Sequence, residues 1–264
     1  MPMNNRILRP LARPLLLDAV PGAAAAYSLR QLSNSYAGPV VTVRRSSDDA
    51  EEDFKASEID DGTLAAFCGA GDGLVKTWHD QSGNNRDASA TGTAQPKVVD
   101  SGSLVTEGGK AAVQFDGVND FLLASSVVES QPLSFFVSGK KESLSGKQNY
   151  FDGAVSAGRT ESFLMPTTNY MAIQAGSILQ SAVVGDTNAE ILFAVFDGLS
   201  SAIYKNGALI ASGDAGTKGV TTLVIGADND QSDFLEGTIS ELIIYPSDQS
   251  ANRERIEGDI AWYY

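Results

Sequence analysis

The sequence predicts an all-β protein with short peripheral helices, and three observations lead to that fold class. Short apolar runs separated by Gly, Asn, Asp and Ser recur at roughly 8–12-residue spacing from residue 74 onward, as in sandwiches and barrels. The chain contains 26 glycines and no long helical heptad pattern. Hydrophobic residues make up 42% of the 264 residues, which is enough for a core. A single domain is expected, because β-sandwiches of about 200–250 residues often form one.

Charge and composition exclude several classes of protein. The 19 basic and 33 acidic residues give a net charge of −14, which disfavours a nucleic-acid partner and docking on anionic membranes. No apolar run approaches the roughly 20 residues that cross a bilayer, so no membrane insertion is expected. The single cysteine, Cys68, excludes an intramolecular disulfide, and the single histidine, His79, excludes a multi-histidine metal site.

Residues 1–22 differ from the rest of the chain. Arginines and prolines interrupt this segment, which disfavours both a continuous helix and a secretory signal. Its large aliphatic side chains are costly to leave in water, which disfavours a frayed terminus. They include Ile7, Leu8, Leu11, Leu15 and Leu16. We predict an anchoring arm over residues 1–22, which packs on its own domain or, preferably, on a partner chain, and a sandwich domain over residues 23–264. Deletion of the arm should then leave a folded sandwich.

Residues 23–67 are predicted to mix helices, one strand and a loop. The alanine-rich stretch 23–36 favours a short helix. The stretch 39–47 reads as a strand with Val41 and Val43 on one face. The acidic run 48–53 is expected to be a solvated loop. A second short helix should begin after Asp60 or Asp61 and end at Gly69.

The rest of the chain is predicted to be strands followed by one helix. Asn206-Gly207 lies between two apolar runs and predicts a two-residue hairpin with a type I′ turn. The fully apolar runs 224–227 and 242–245 indicate central strands. The C-terminal stretch predicts a helix with Ser250 as its N-cap. Ile256 and Ile260, four residues apart, should form its apolar face.

The polar turn at residues 80–85 permits two interpretations. Asp and Asn side chains can bond to the local backbone while Gly83 takes positive φ, and this structural interpretation is preferred. Alternatively, the turn binds a sugar: Trp78 would stack on the ring, and Asp80 and Asn84 would bond to its hydroxyls. His79 and Cys68 are expected to be structural, because no serine motif accompanies the histidine and no basic neighbour activates the thiol.

Two carboxylate-rich loops are candidate ligand sites. Asn119 and Asp120, which follow Asp116, are counted among the sugar-binding candidates. Asp228, Asp230 and Asp233 could supply oxygen ligands to Ca²⁺, although a solvated acidic loop is the preferred interpretation and no cofactor is expected. Glycoside hydrolysis requires a pair of carboxylates about 5–9.5 Å apart, and sequence spacing cannot identify such a pair among 33 acidic residues.

The C-terminal half resembles the concanavalin A-like, laminin-G-like jelly roll. The matching stretches are AVQFDGVNDFLLAS at 112–125, SAIYKNGALIASG at 201–213, and residues 223–260 with LVIGADNDQSDFLEGTISELIIYP. In that family these stretches are an early core strand, a hairpin, and the closing strands with their trailing helix. The resemblance implies a jelly-roll β-sandwich.

The N-terminal half resembles the catalytic sandwich of fungal-type α-L-arabinofuranosidases, on residues 26–54 and on FCGAGDGLVKTWHDQSGNNRDA at 67–88. The pattern of those enzymes has a second cysteine five residues after the first, where this chain has Gly73, and a tyrosine where it has His79. The chain has no vicinal cysteine pair, and the resemblance does not assign the catalytic carboxylates of the family to any of its positions. The resemblance implies a shared architecture and sugar chemistry.

The combination of NRILRPLA at 5–12, TWHDQSGN at 77–84 and the last 24 residues also resembles proteins of tailed bacteriophages and phage-like particles. This resemblance implies a virion structural protein without enzymatic activity: a capsid decoration, head spike, fibre or tail component on the virion surface. The arm would bind other virion proteins, copies of the chain would assemble into a homo-oligomer, and a host surface glycan would be the candidate ligand. The alternatives are a glycoside hydrolase of α-L-arabinofuranosidase type and a secreted lectin.

Overall fold

The computed structural model describes residues 13–153, 159–164 and 168–264. The strands of this part of the chain are β1 (Ala25–Ser28), β2 (Val41–Arg45), β3 (Glu51–Phe54), β4 (Gly73–Trp78), β5 (Ala88–Ser89), β6 (Lys97–Asp100), β7 (Ser103–Leu104), β8 (Thr106–Glu107), β9 (Lys110–Ala111), β10 (Val113–Asp116), β11 (Leu122–Ala124), β12 (Leu133–Lys141), β13 (Asn149–Gly153), β14 (Thr160–Leu164), β15 (Tyr170–Ala175), β16 (Ile178–Val184), β17 (Glu190–Phe196), β18 (Ser201–Lys205), β19 (Ala208–Gly213), β20 (Leu223–Ile225) and β21 (Glu236–Tyr245). The α-helices are α1 (Leu16–Ala19), α2 (Ala56–Asp60), α3 (Thr63–Cys68) and α4 (Arg253–Tyr263).

The fold is all-β, as predicted, with antiparallel pairings and few helices. Nineteen of the described strands join into one nearly closed, hydrogen-bonded sheet, and β8 and β9 form a separate hairpin. The long strand β21 pairs with β12 along one side, and with β1 and then β10 along the other. Its run 242–245 is buried, as predicted for a central strand. None of the described helices is long and apolar enough to cross a bilayer.

The core consists of two hydrophobic clusters. The larger lies inside the sandwich, where Phe135 of β12 stacks on Phe151 of β13 with ring centroids 4.2 Å apart. The smaller lies beneath α4, where Ile256 and Ile260 pack on the outer face of β12 and β17 around the stacked rings of Phe136 and Phe193. The predicted apolar face of the C-terminal helix is therefore confirmed.

Several local predictions are confirmed by the backbone. Val41 and Val43 of β2 are both buried. Asn206 and Gly207 join β18 and β19 with φ of 48° and 82°, and positive φ at both central residues is what a type I′ turn requires. Helix α3 ends at Gly69, whose φ is 61°.

The helix predicted at 23–36 is wrong, because this stretch contains β1. All four residues of β1 are buried, and they pair with 241–244 of β21. Alanine favours a helix over other ordinary residues by at most about 0.7 kcal/mol per residue. The strand pairing and burial of β1 outweigh this preference.

Three other expectations need correction. The acidic stretch 48–53 includes part of β3, whose first three residues are exposed while Phe54 is buried. Helix α2, at 56–60, was not predicted. Helix α4 has Asn252 rather than Ser250 at its N-cap position.

The N-terminal segment packs, where it is described, on its own domain. Leu16 is fully buried and Leu15 half-buried, and Leu16, Leu17 and Val20 belong to the cluster beneath α4. Leu16 is therefore not available to a partner chain, contrary to the preferred interpretation. Ile7, Leu8 and Leu11 lie outside the described residues.

Candidate active site

Three buried carboxylates meet on one face of the sheet. Asp152 on β13 and Glu161 on β14 are cross-strand partners, so their side chains project from the same face of the sheet. Asp228 joins them from the segment after β20, the neighbour of β13. These three side chains, here called the carboxylate cluster, are each at most 1% exposed. Charged groups are almost never buried to this extent unless they are paired, so their partners determine the chemistry.

A glycine places Asp228 in the cluster. Gly226 has φ of 83°, and a Cβ atom there would lie 2.2 Å from the ring of Phe115. Only glycine allows the chain to turn this closely over the core after β20. The Oδ1 atom of Asp228 then accepts hydrogen bonds from the backbone N–H groups of Ser232 (2.8 Å) and Asp233 (3.2 Å).

Two cations hold the carboxylate cluster together. Arg159 Nη1 lies 2.6 Å from Asp228 Oδ2, 3.7 Å from Asp152 Oδ2 and 3.9 Å from Glu161 Oε2. Lys147 Nζ and Asn149 Nδ2 bind Glu161 Oε2 at 2.9 and 2.6 Å. The Arg159 side chain is 25% exposed and is therefore nearer the solvent than the carboxylates it contacts.

Asp152 and Asp228 have pKa values displaced in opposite directions. Burial raises the pKa of Asp152 to about 7. A hydrogen bond from the Asn229 N–H lowers this pKa, and the nearby charge of Glu161 raises it further. Burial opposes ionisation of Asp228 as well, but hydrogen bonds from the Ser232 N–H, Arg159 and the Asp233 N–H outweigh it and lower its pKa. One site thus holds a carboxyl that keeps its proton up to a pH of about 7 beside a carboxylate whose pKa is lowered. Such a pair can supply an acid and a base or nucleophile.

Asp152 also has an atom free to carry that proton. Its Oδ2 accepts the Asn229 N–H at 2.8 Å, whereas its Oδ1 is buried without a hydrogen-bond partner among the described residues. Buried polar atoms are usually satisfied, and exceptions concentrate at functional sites.

Sequence reasoning identifies Asp228 only as a weak metal candidate and does not find Asp152 or Glu161. Each of these two lies within a strand: Asp152 follows Phe151, and Glu161 is two residues before Phe163. The signal that could have revealed Asp152 is a carboxylate next to the core residue Phe151, on the opposite face of β13, but its use requires knowing that this second face is also buried.

The sugar-binding interpretation of the turn at 80–85 does not fit the structure. Trp78 is fully buried, so its ring cannot stack on a sugar. Asp80 accepts hydrogen bonds from the N–H groups of Ala26, Ser82 and Arg86. Asn84 Nδ2 donates to the carbonyl oxygens of 23 and 24 at 3.1 and 3.0 Å. The turn fastens β1 to β4, which is the structural role preferred from the sequence.

Asn119 and Asp120 lie elsewhere, on a cleft lined by β2, β4, β6 and β10. The structure therefore does not bring them together with Trp78, Asp80 and Asn84.

The proposed calcium ligands have other partners. Arg159 binds both Asp228 and Asp230, and Lys147 Nζ lies 3.5 Å from Asp233 Oδ2. Within the ranges that the structure describes, no three His, Cys, Asp or Glu side chains are grouped to hold a metal ion.

His79 and Cys68 occupy structural positions. His79 Nε2 lies 2.8 Å from Thr42 Oγ1, and its Nδ1 lies 3.0 Å from Asp87 Oδ2, so threonine rather than serine faces the ring. Thr42 Oγ1 in turn donates to Asp53. Cys68 is buried, and burial raises the pKa of its thiol to about 11, which makes it unreactive.

Comparison with known proteins finds similarity to arabinofuranosidases. The family model described as alpha-L-arabinofuranosidase B, catalytic, matches residues 17–123. A GH54 α-L-arabinofuranosidase soaked with 4-nitrophenyl α-L-arabinofuranoside has a TM-score of 0.68 at 15% identity, covering 90% of this chain and 62% of that one. An arabinofuranosidase complexed with arabinofuranosyl-α-1,2-xylobiose has a TM-score of 0.66 at 15% identity, covering 93% and 64%. A sialidase from Trypanosoma rangeli with sialic acid has a TM-score of 0.50 at 11% identity, covering 69% and 30%. No curated protein matches the chain.

These comparisons correct the expected identity of the chain. The expectation of a non-enzymatic virion structural protein is wrong, because the matching family model is that of a catalytic domain and the similar solved structures include arabinofuranosidases. At 15% identity the structural likeness establishes the fold. The chain spans about 62–64% of the length of those structures. The carboxylate cluster lies after the segment that the family model matches.

Proposed function

We propose that this chain is a glycoside hydrolase that releases α-L-arabinofuranosyl groups, with Asp152 as the general acid and Asp228 as the carboxylate that attacks or stabilises the sugar. The observation that carries the proposal is the opposite displacement of the two pKa values within one buried cluster. Hydrolysis of a glycosidic bond requires one protonated and one ionised carboxyl on either side of the bond.

The spacing of the pair favours retention of configuration. Asp152 Oδ2 and Asp228 Oδ2 lie 3.7 and 2.6 Å from the same Arg159 nitrogen, so the sum of these distances is the upper limit of their separation. That limit is below the roughly 6.5–9.5 Å found for inverting pairs, which must leave room for a water molecule. Asp228 would then act as the nucleophile and form a glycosyl-enzyme intermediate.

Arg159 is part of the proposed mechanism because its guanidinium lies between the solvent and the carboxylates of Asp152 and Asp228. The carboxylates are almost fully buried, so a sugar can reach them only if the guanidinium moves towards Asp230, its exposed partner. Glu161 keeps two partners, Lys147 and Asn149, when Arg159 moves, and so it can retain its position.

The substrate class rests on the proteins that the chain resembles. The matching family model is named for α-L-arabinofuranosidase, and two of the similar structures carry arabinofuranosides. We include in the proposal that the sheet has the connectivity of a jelly roll, which the adjacency of the first and last strands, β1 and β21, supports.

The test is hydrolysis of 4-nitrophenyl α-L-arabinofuranoside by the full chain and by Asp152→Asn and Asp228→Asn variants. We expect release of 4-nitrophenol by the wild type and a loss of about 10²–10⁴-fold in kcat in each variant. The exposed Asp60→Asn serves as the matched control and should keep wild-type activity. Absence of hydrolysis by the wild type, or full activity of both cluster variants, would overturn the proposal.

The pH profile tests the assignment of the acid. Asp152 must be protonated to donate to the leaving group, so kcat should fall as pH rises through about 7. Asp152→Asn should remove this alkaline limb from its residual activity. An alkaline limb near pH 7 that persists in Asp152→Asn would assign the acid to another residue.

A further inference from the structure

A second, separate cleft lies over four neighbouring strands. Arg44 of β2, Leu74 of β4, Lys97 of β6 and Gln114 of β10 are partners in successive strand pairs, so their side chains form one row on the same face of the sheet. All four are half-buried. The three gaps between four strands, each about 4.8 Å, make this row about 14 Å long.

Two loops turn this row into a cleft. Residues 92–95 form one wall and residues 116–120 form the other. The cleft is open to solvent and has a volume of about 820 Å³, which is within the range of small-molecule sites. The cleft shares no residue with the carboxylate cluster. The segment 226–236 contributes Asp228 to the cluster, and its Leu235 carbonyl accepts the Gly117 N–H of the second wall.

The cleft contains polar groups without a protein partner. The side-chain amides of Gln114 and Asn119 make no hydrogen bond within the described ranges, and Asp120 uses only Oδ2, which accepts the Asp116 N–H at 3.0 Å. Asp120 is 6% exposed, yet it lines the cleft, and its Oδ1 has no hydrogen-bond partner in the part of the chain that the structure describes. Burial, and then the neighbouring Asp116, raise the pKa of Asp120 to about 7. These groups can donate and accept hydrogen bonds to a ligand in the cleft.

The charges in the cleft favour an uncharged ligand. Arg44 donates to Gln95 Oε1 at 2.7 Å and to Asp49, and Lys97 Nζ lies 3.0 and 2.9 Å from Asp72 and Asp100. Both cations are thus neutralised and do not attract an anion. No metal-binding group of acidic side chains is found among the described residues, which disfavours a divalent cation.

We propose that this cleft is an accessory binding site for a neutral polysaccharide chain, separate from the carboxylate cluster. Hydroxyl groups pair with amides and with a carboxyl, and a row about 14 Å long has room for several sugar rings lying across the strands. The inference goes beyond the proposed hydrolysis, because binding in the cleft requires no bond cleavage.

The test is affinity gel electrophoresis of the full chain in native gels that contain arabinoxylan, arabinan or, as the anionic comparison, heparin. The chain carries Asp228→Asn throughout, so that the polysaccharide is not degraded. We expect arabinoxylan or arabinan to retard the chain. Adding Gln114→Ala and Asn119→Ala should weaken binding at least about tenfold, since two hydrogen-bonding groups are lost. Neither side chain makes a hydrogen bond to the residues that the structure describes, so the fold should persist, and circular dichroism checks it.

The control adds Gln180→Ala and Asn188→Ala, two exposed amides outside the cleft, and should bind as tightly as the parent. The inference is wrong if neither neutral polysaccharide retards the chain, if the cleft variant binds like the control, or if heparin alone is bound. Binding in the absence of any hydrolysis by the wild type would reject the proposed enzyme and retain the accessory site. Hydrolysis by the wild type without retardation in the gel would support the proposed enzyme and reject the accessory site.

Discussion

Cys68 and Gly73 lie against each other across the end of helix α3. A Cβ atom built on Gly73 would be 2.7 Å from Cys68 Sγ, with Val43 and Val99 each 3.1 Å away. Gly73 is the position at which the resembling arabinofuranosidases have their second cysteine. The backbone therefore keeps a geometry in which a disulfide could close, although this chain has only one thiol.

Gly73→Cys should form a disulfide with Cys68. Because burial raises the pKa of the Cys68 thiol to about 11, an oxidant at alkaline pH will be needed. The closed loop should stabilise the protein by about 2 kcal/mol relative to the reduced variant. Thiol titration in denaturant measures whether the disulfide has formed. Urea unfolding of the oxidised and the reduced variant measures the gain in stability. The reduced variant should be less stable than the wild type because of crowding by the two valines, and two titratable thiols after oxidation would contradict the prediction.

At the scale of elements, β1 shows how tertiary contacts override local preference. The stretch 23–36, which begins with four successive alanines and contains β1, favours a helix, but the turn at 80–85 binds β1 as a strand. Asp80 accepts the Ala26 N–H at 2.9 Å, and Gln81 binds the Leu32 N–H and the carbonyl oxygens of 28 and 30. Two buried side chains of a distant turn thus satisfy backbone groups that a helix would satisfy locally.

Asp80→Ala should lower the free energy of unfolding by about 3 kcal/mol, because it removes a buried carboxylate and leaves backbone donors without a partner. Urea denaturation monitored by tryptophan fluorescence measures this free energy, because Trp78 lies two residues before Asp80 in the chain. Asp61→Ala is the matched control: Asp61 also accepts the N–H two residues on, but at the surface, and should cost less than about 1 kcal/mol. Equal losses in the two variants would refute the anchoring role.

At the scale of the whole molecule, the two chain ends close the second hydrophobic cluster together. Leu16, Leu17 and Val20 pack beneath α4 with Ile256 and Ile260. Tyr245, in the last strand, donates a hydrogen bond from its hydroxyl to the Val20 carbonyl at 2.8 Å. The described part of the N-terminal segment is therefore integral to the sandwich and not an appendage.

Deletion of residues 1–22 should destabilise the domain severely, with a fall of at least about 10 °C in Tm, since each lost large apolar side chain costs about 2–5 kcal/mol. Differential scanning calorimetry measures it. The full chain with Leu16→Ala should show an intermediate loss. A deleted chain that melts within about 2 °C of the full chain would restore the view of a detachable arm.

The sequence by itself determined the all-β fold class, a strand within 39–47, the hairpin at Asn206-Gly207 and the apolar face of helix α4. These features depend on local rules: the alternation of apolar side chains, the positive φ of Asn-Gly, and a four-residue spacing. The turn at 80–85 was also interpreted correctly as structural, because Asp, Asn and Gly have the same local chemistry in most turns.

Only the tertiary structure decided the state of β1 and the members of the candidate site. Arg159 and Asp228 are 69 residues apart in the chain, and Asp152 meets them through the pairing of β13 with β14 and β20. Their burial, and with it the separation of the two pKa values, arises when strands distant in sequence pack together. A carboxylate in the sequence carries no sign of that environment, because desolvation and the partners of a charge are properties of the packed molecule.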